Sequence, residues 1–323
     1  MKRAKAATEA LLTQAFEDVE ALHMCLFYSR GWERSALEHR VDAGEVVSPL
    51  PGLFARSGYW GALTREQQVM HVVKSEGAKH PSWVFSHTTA AIAHGFPVSH
   101  HRLWPIHYTT APGGGGRARR HFAHHRSAST ASELRDGIAV TSAVRTVVDC
   151  ARTLPFGQAL AIADAARHRG IVTERVLLDD LESRPGMRGN RQAQRVIALS
   201  SPKPESRGES LVRALVLEVG LPEPELQAPV PSLERPGRLY RVDFLFRVAE
   251  MAPVALELDG LEKYENAAMT GGRSAVRVMA AERQREAEIT ASGIRVARIG
   301  FTDAIRPPVL LRRLAAYGVV PER

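Results

Sequence analysis

Cysteine is scarce in this chain. Cys25 and Cys150 are the two present among 323 residues, and no CxxC spacing occurs. That argues against a disulfide framework and against a zinc site, so both thiols are expected to be buried in a reducing, cytoplasmic setting. Long apolar runs are missing as well. No stretch of about 18 apolar residues occurs, so no membrane span and no membrane partner are expected. The first eight residues are basic, but no apolar signal core of the needed length follows them. There is no apparent internal repeat.

What is present is an ordinary globular composition, with 44% hydrophobic and 24% charged residues. Such a chain can bury sizeable cores unaided, and its length suggests two or three domains. The formal net charge is +8. An excess of that sign favours a polyanionic partner, because each phosphate neutralised releases counterions.

Four segments can be read along the chain. Residues 8–28 carry Leu11, Leu12, Phe16, Val19, Leu22 and Leu26 at helical spacing. Residues 32–42 (WERSALEHRVD) predict a short amphipathic helix with Arg34, His39 and Arg40 on polar positions. After Gly44 an extended stretch, 45–56, is interrupted by Pro49, Pro51 and Gly52. Helices followed by a small hairpin is the order of a winged helix, so residues 1–60 are expected to form a winged-helix-like DNA-binding region. Residues 61–200 are expected to form an α+β domain. Helical patterns cover TREQQVMHVVKSEG, Ser86–Gly95, Ser142–Thr153 and Phe156–Arg167, with extended segments at Pro105–Thr110, His121–Arg126 and Gly137–Thr141. The stretch SSPKPESR, 200–207, reads as an interdomain linker.

Residues 201–323 are expected to form an α/β domain. A helix at Glu209–Val219 precedes strand patterns at Glu225–Pro231, Leu239–Phe246 and Val254–Leu258, and a long helix at Arg273–Ser292 precedes a strand at Ile294–Ile299. Along VALELD, Val254, Leu256 and Leu258 share one face, while Ala255, Glu257 and Asp259 share the other. Two carboxylates on one face of a central strand repel each other and resist burial. A hard cation reverses that penalty. In the preceding strand, Val242, Phe244 and Phe246 are expected on the apolar face, with Asp243 opposite. If the two strands pair, Asp243 lies near Glu257, and Glu209 supplies a further acid.

The segments SRGESLVR (206–213), Gly220-Leu221-Pro222 with Gln227, Arg241-Val242-Asp243-Phe244, Glu257-Leu258-Asp259-Gly260 with Lys263-Tyr264, Glu282–Arg285 and Gly293–Arg298 together resemble the very-short-patch-repair-endonuclease-like family of the PD-(D/E)xK nucleases. The resemblance covers about 100 residues. It implies a restriction-endonuclease-like fold, a mixed central sheet flanked by helices, with Asp243 and Glu257 as ligands of Mg²⁺ or Mn²⁺. It also implies a lysine two positions after the glutamate. Asp259 stands there instead, and Lys263 is the nearest replacement cation. Glu209, Asp243, Glu257, Asp259 and Lys263 are therefore the candidate catalytic residues.

Residues 113–126 (GGGGRARRHFAHHR) contain no acid. Glycines followed by Arg117, Arg119, Arg120 and Arg126 suit a loop that follows a phosphate backbone. With Arg34, Arg40 and Arg285 these are the candidate DNA-binding residues. His121, His124 and His125 invite a metal reading, but HFAHHR is better explained as a strand with a polar face. His87, His94 and Asp149 read as caps and packing residues. The segments Arg40–Gly44, Gly52–Ala55, Ser86–Ala91 with His94-Gly95, and Val140–Asp149 are similar to proteins carrying an AbiE-type antitoxin domain. That resemblance implies DNA binding and a toxin partner. Two readings follow for the whole chain: a metal-dependent DNA endonuclease, in which a second subunit serves to cut both strands, or a non-catalytic DNA-binding regulator or antitoxin.

Overall fold

Apolar spacing in the first segment produces a helix, α1 (Lys2–Ala21), which stops before the strand β1 (Leu26–Phe27). Leu12 and Phe16 are buried there, while Leu11 and Leu22 stay exposed. The computed structural model describes residues 2–111, 120–126, 131–259 and 275–321, without the side chains of 2–8 and 275–279. Helix α2 (Trp32–Asp42) and the hairpin β2 (Val46–Leu50) and β3 (Leu53–Arg56) complete a small sheet of order β1-β3-β2. Gly52 turns that hairpin at φ 81°, a value at which a side chain would be strained. Leu12, Phe16, Leu26, Leu37, Val46 and Phe54 form its core.

Helices α3 (Ser57–Ala62) and α4 (Arg65–Lys79) follow. Thr64 and Gln67 form a reciprocal capping box at the start of α4. Next come β4 (Val84–Phe85), α5 (His87–Ala93), β5 (Ile106–Thr110), β6 (Phe122–Arg126), β7 (Glu133–Arg135), β8 (Ile138–Val140) and α6 (Ala143–Thr153). The five strands make a mixed sheet of order β6-β5-β4-β8-β7.

The chain divides into two compact units, 1–150 and 151–323, with the boundary inside α6. In the second unit, α7 (Phe156–His168), α8 (Glu174–Glu182), α9 (Asn190–Leu199) and α10 (Arg207–Glu218) precede a sheet. The linker-like stretch 200–207 thus lies within this unit, between α9 and α10. Helices α7 and α10 approach closely at Gly157, where a β-carbon would sit 3.2 Å from that of Ala214. Glycine permits that crossing.

The sheet of the second unit consists of β9 (Glu225–Pro231), β10 (Leu239–Phe246), β11 (Val254–Asp259) and β12 (Arg295–Gly300), in the order β12-β11-β10-β9. Strands β9, β10 and β11 are antiparallel neighbours, and β12 runs parallel to β11. Helix α11 (Ala275–Ala291) precedes β12, and α12 (Phe301–Ala304) and α13 (Pro307–Ala315) follow it. One apolar cluster joins Phe244, Phe246 and Leu256 to Val212, Val216 and Leu310. A second joins Val242, Leu245 and Ala255 to Ile289 of α11. Truncating a buried phenylalanine such as Phe244 to alanine costs about 3–5 kcal/mol. The described residues are therefore of mixed α and β class, and no helix among them is long and apolar enough to cross a membrane.

Candidate functional site

A polar row crosses the four strands of the second unit. Strand pairing sets Phe244 against Leu256, which brings Asp243 level with Glu257. On the far side, Glu257 stands opposite Arg298 of β12. On the near side, Val242 faces Ala228 and Phe244 faces Leu226, so Gln227 lies level with Asp243.

This row coincides with a break in the strand pattern. Strict alternation places Val242 with Phe244 and Phe246, as expected from sequence. Instead Val242 is buried with Leu245 and Ala255, in a different cluster from the two phenylalanines. Gln227, level with Asp243, has a left-handed φ of 51°. The pairing register is unbroken here, and both strands change face together, with Leu226 in one cluster and Ala228 in the other. Asp243 is thereby half-buried at the point where the sheet changes face. Its Oδ2 accepts a hydrogen bond from the Leu258 amide at 3.0 Å.

Glu209 is tied into this kink. Its Oε2 accepts from Gln227 Nε2 at 2.8 Å and from the Glu205 amide at 3.0 Å, while Oε1 accepts from Ser206 Oγ at 2.8 Å. Ser206 caps α10 by accepting from the Glu209 amide. Glu209 therefore holds the helix start and the left-handed residue together, so the structure gives it a positioning place.

Glu257 is the most buried acid of the row, 6% exposed. Its Oε2 accepts from Arg285 Nη2 and lies 3.4 Å from Arg298 Nη2. Its Oε1 is buried without a hydrogen-bond partner among the described residues. Burial pushes the Glu257 carboxyl above its ordinary range, against the pull of Arg285 and Arg298, and the nearby Asp243 charge adds to the rise. Arg285 also binds Glu282 at 2.6 Å and the Arg241 carbonyl at 3.2 Å. Arg298 binds Asp259 at 2.9 Å, Glu286 at 2.9 Å and Glu282 at 2.5 Å. The two guanidinium groups hold Glu282 down to about 2, against the opposing effect of burial.

The arrangement gathers Asp243, Glu257, Asp259, Glu282 and Glu286 around Arg285 and Arg298, and carboxylates outnumber guanidinium groups. Among the described residues Glu257 Oε1 has no hydrogen-bond partner, while Asp243 Oδ2 and Asp259 Oδ1 are engaged by the Leu258 amide and by Arg298; carboxylate oxygens are the donors a hard divalent cation takes. Arg285, a candidate DNA-binding residue, lies against Glu257 and Glu282. Lys263 lies outside the described residues. Arg298 was not singled out as a site residue from sequence. The alternation of RVARIG, with Ala297 and Ile299 in the core, is the signal that turns it toward the acids.

In the first unit, Arg34 pairs with Glu38 at 2.8 Å and Arg40 with Glu9 at 2.5 Å. Arg120 and Arg126 are exposed, whereas Arg117 and Arg119 lie outside the described residues. His124 bonds Thr110 Oγ1 at 2.8 Å, and His121 packs edge-on to Trp104. His94 Nε2 bonds the Thr141 carbonyl at 2.8 Å. His125 is separated from His121 and His124 and meets His107 and His87 instead. Both cysteines are free and buried, and burial pushes the Cys25 thiol up to about 12.

No protein-family model and no solved structure matches the chain. Two curated proteins from Mycobacterium tuberculosis strains CDC 1551 and H37Rv, both described as uncharacterized, are each 32% identical to it over 108 residues. That stretch is 33% of this chain and 39% of the length of each relative.

Proposed function

We propose that residues 201–323 form a restriction-endonuclease-like domain that hydrolyses DNA phosphodiester bonds with Mg²⁺ or Mn²⁺, in defence or DNA repair. The observation that carries this reading is Glu257: a buried carboxylate level with Asp243, with one oxygen lacking a partner among the described residues. Asp243 and Glu257 would hold the ion, which supplies a polarised phosphoryl oxygen and a more acidic water. Arg298, between Glu257 and Asp259, brings a cation to the neighbourhood where the family has its lysine. The helix order and β1-β3-β2 sheet of the first 60 residues support a winged-helix-like element that selects the DNA.

A second reading has its own support. Arg285 and Arg298 already compensate Glu257 and Asp259, and Asp259 stands at the lysine position. A non-catalytic DNA-binding regulator or antitoxin, with a toxin as partner, follows from a site closed by ion pairs.

Purified protein incubated with supercoiled and linear DNA and Mg²⁺ or Mn²⁺ separates the two. Cleavage is expected, and is expected to vanish in Asp243→Ala and in Glu257→Ala, with folding checked by circular dichroism. Cleavage that survives both substitutions removes this site from the chemistry. Wild-type protein that binds DNA but never cuts it establishes the regulator.

A further inference from the structure

Three histidines far apart in sequence meet in the first unit. His87 begins α5, His107 lies on β5 and His125 on β6. Strands β5 and β6 are parallel, with His107 opposite Ala123 and Thr109 opposite His125, so both imidazoles emerge on one face. The start of α5 is tied to the same strand: the Ser86 amide donates to the His107 carbonyl at 3.0 Å, and the His107 amide donates to Thr89 Oγ1 at 2.8 Å. His87 has φ 50°, a sparsely populated conformation for a residue with a side chain. Its ring stacks on His125 at 3.9 Å and on His107 at 5.2 Å.

One ring nitrogen from each of the three lies within 4.8 Å of the others. We propose that His87, His107 and His125 form a binding site for one divalent transition-metal ion of the zinc type. Zinc–imidazole bonds of about 2.0–2.1 Å put tetrahedral donors about 3.3 Å apart, a contraction within reach of side-chain rotation. His107 Nδ1 and His125 Nε2 are already 2.9 Å apart, joined by a hydrogen bond that a metal would replace. Ser86 Oγ lies 3.0 Å from His87 Nδ1, which orients that ring as outer-shell partners orient metal-bound histidines.

The charge state suits a metal. Burial, reinforced by the neighbouring rings, keeps His87 neutral down to about 3 and His107 down to about 4, and lowers His125 as well. Neutral imidazole carries the lone pair that a metal takes. Asp149 acts electrostatically on His87 and His125, and Arg145 holds its carboxylate at 2.6 Å. Three imidazole donors leave the fourth position of the ion open to water. Three nitrogen donors select zinc-type ions over Mg²⁺, which takes oxygen. This site is independent of the carboxylate row and of its proposed Mg²⁺ or Mn²⁺.

The test uses the full chain, stripped by chelation and titrated with Co²⁺ and then Zn²⁺ in excess Mg²⁺. One Co²⁺ per chain is expected, with visible ligand-field absorption that Zn²⁺ displaces and Mg²⁺ leaves intact. His107→Asn and His125→Asn are expected to abolish the band, whereas His124→Asn keeps it. Should a ligand variant fail to fold, X-ray absorption of zinc bound to the wild type reads the donor set directly. Three imidazole nitrogens are expected, and fewer would overturn the proposal. Absence of saturable binding to the wild type, or binding that persists in folded His107→Asn and His125→Asn proteins, would also overturn it.

Discussion

Two sheets in this protein bury polar side chains, and they meet the desolvation cost by opposite means. In the second unit, Glu257 stays beside guanidinium groups, and Arg285 and Arg298 knit β11, β12 and α11 through ion pairs. In the first unit, burial disfavours the charged forms of His87, His107 and His125, and the neighbouring His125 ring adds to the effect on His87 and His107. The comparison teaches how each cluster responds to change. An ion-paired cluster fails when one partner is removed, since the remaining charge is stranded. A neutral cluster fails when protons force charge into it.

The largest effect should come from breaking the ion-paired cluster. Arg285→Leu leaves Glu257 with the longer Arg298 contact alone, and a loss of about 3–5 kcal/mol in urea unfolding is expected. A loss below about 1 kcal/mol, the level of a surface pair, would show that the cluster is solvated and the contrast false.

Acidification separates the two clusters by pH window. The histidines have depressed folded-state values, near 3 for His87 and 4 for His107, against 6.5 as the ordinary value. Their contribution is full above pH 6.5 and is lost as pH falls toward 4 and then 3. Glu282, held near 2 against an ordinary 4.5, contributes fully above pH 4.5 and loses that contribution as pH falls toward 2. Replacing His87 and His107 together with asparagine should flatten the stability profile between pH 6.5 and 4 by a few kcal/mol, and Glu282→Gln should flatten it only below 4.5. The readout is wild type minus variant. Asp164, lifted by burial to about 6, acts with the opposite sign between 3.8 and 6.

A smaller effect probes how the carboxylate row is positioned. Glu209→Ala removes the acceptor for Gln227, Ser206 and the Glu205 amide. A loss of about 1–2 kcal/mol is expected, with chemical shifts moving at Gln227 and Asp243. Smallest in stability are Arg120→Ala and Arg126→Ala, expected within about 0.5 kcal/mol of wild type. If they contact phosphate, each should reduce the slope of log affinity for DNA against log salt by about one.

Much of this was legible in sequence because its cause is local. The alternation of VALELD put Glu257 and Asp259 on one face, and the pairing of β10 with β11 brought Asp243 level with Glu257. Helical spacing and caps marked α2, α4, α5, α6, α7 and α10. Other features have no local cause. Nothing in ELQAPVP announces the left-handed Gln227, because that backbone is held by Glu209, 18 residues earlier. HFAHHR as a strand sets His124 and His125 on opposite faces, but it gave no reason to bring His125 to His107, which comes from another element.

The sequence by itself determined many of the elements, the basic balance and the acidic faces, since side-chain period and backbone propensity act within a few residues. Tertiary structure alone decided which charges meet. Arg285 and Arg298 reach Glu257 because parallel pairing of β11 with β12 and the approach of α11 bring them there. Three histidines converge because two parallel strands and the start of α5 share a face. Electrostatic and donor–acceptor contacts depend on distance in space, and chain order does not encode it.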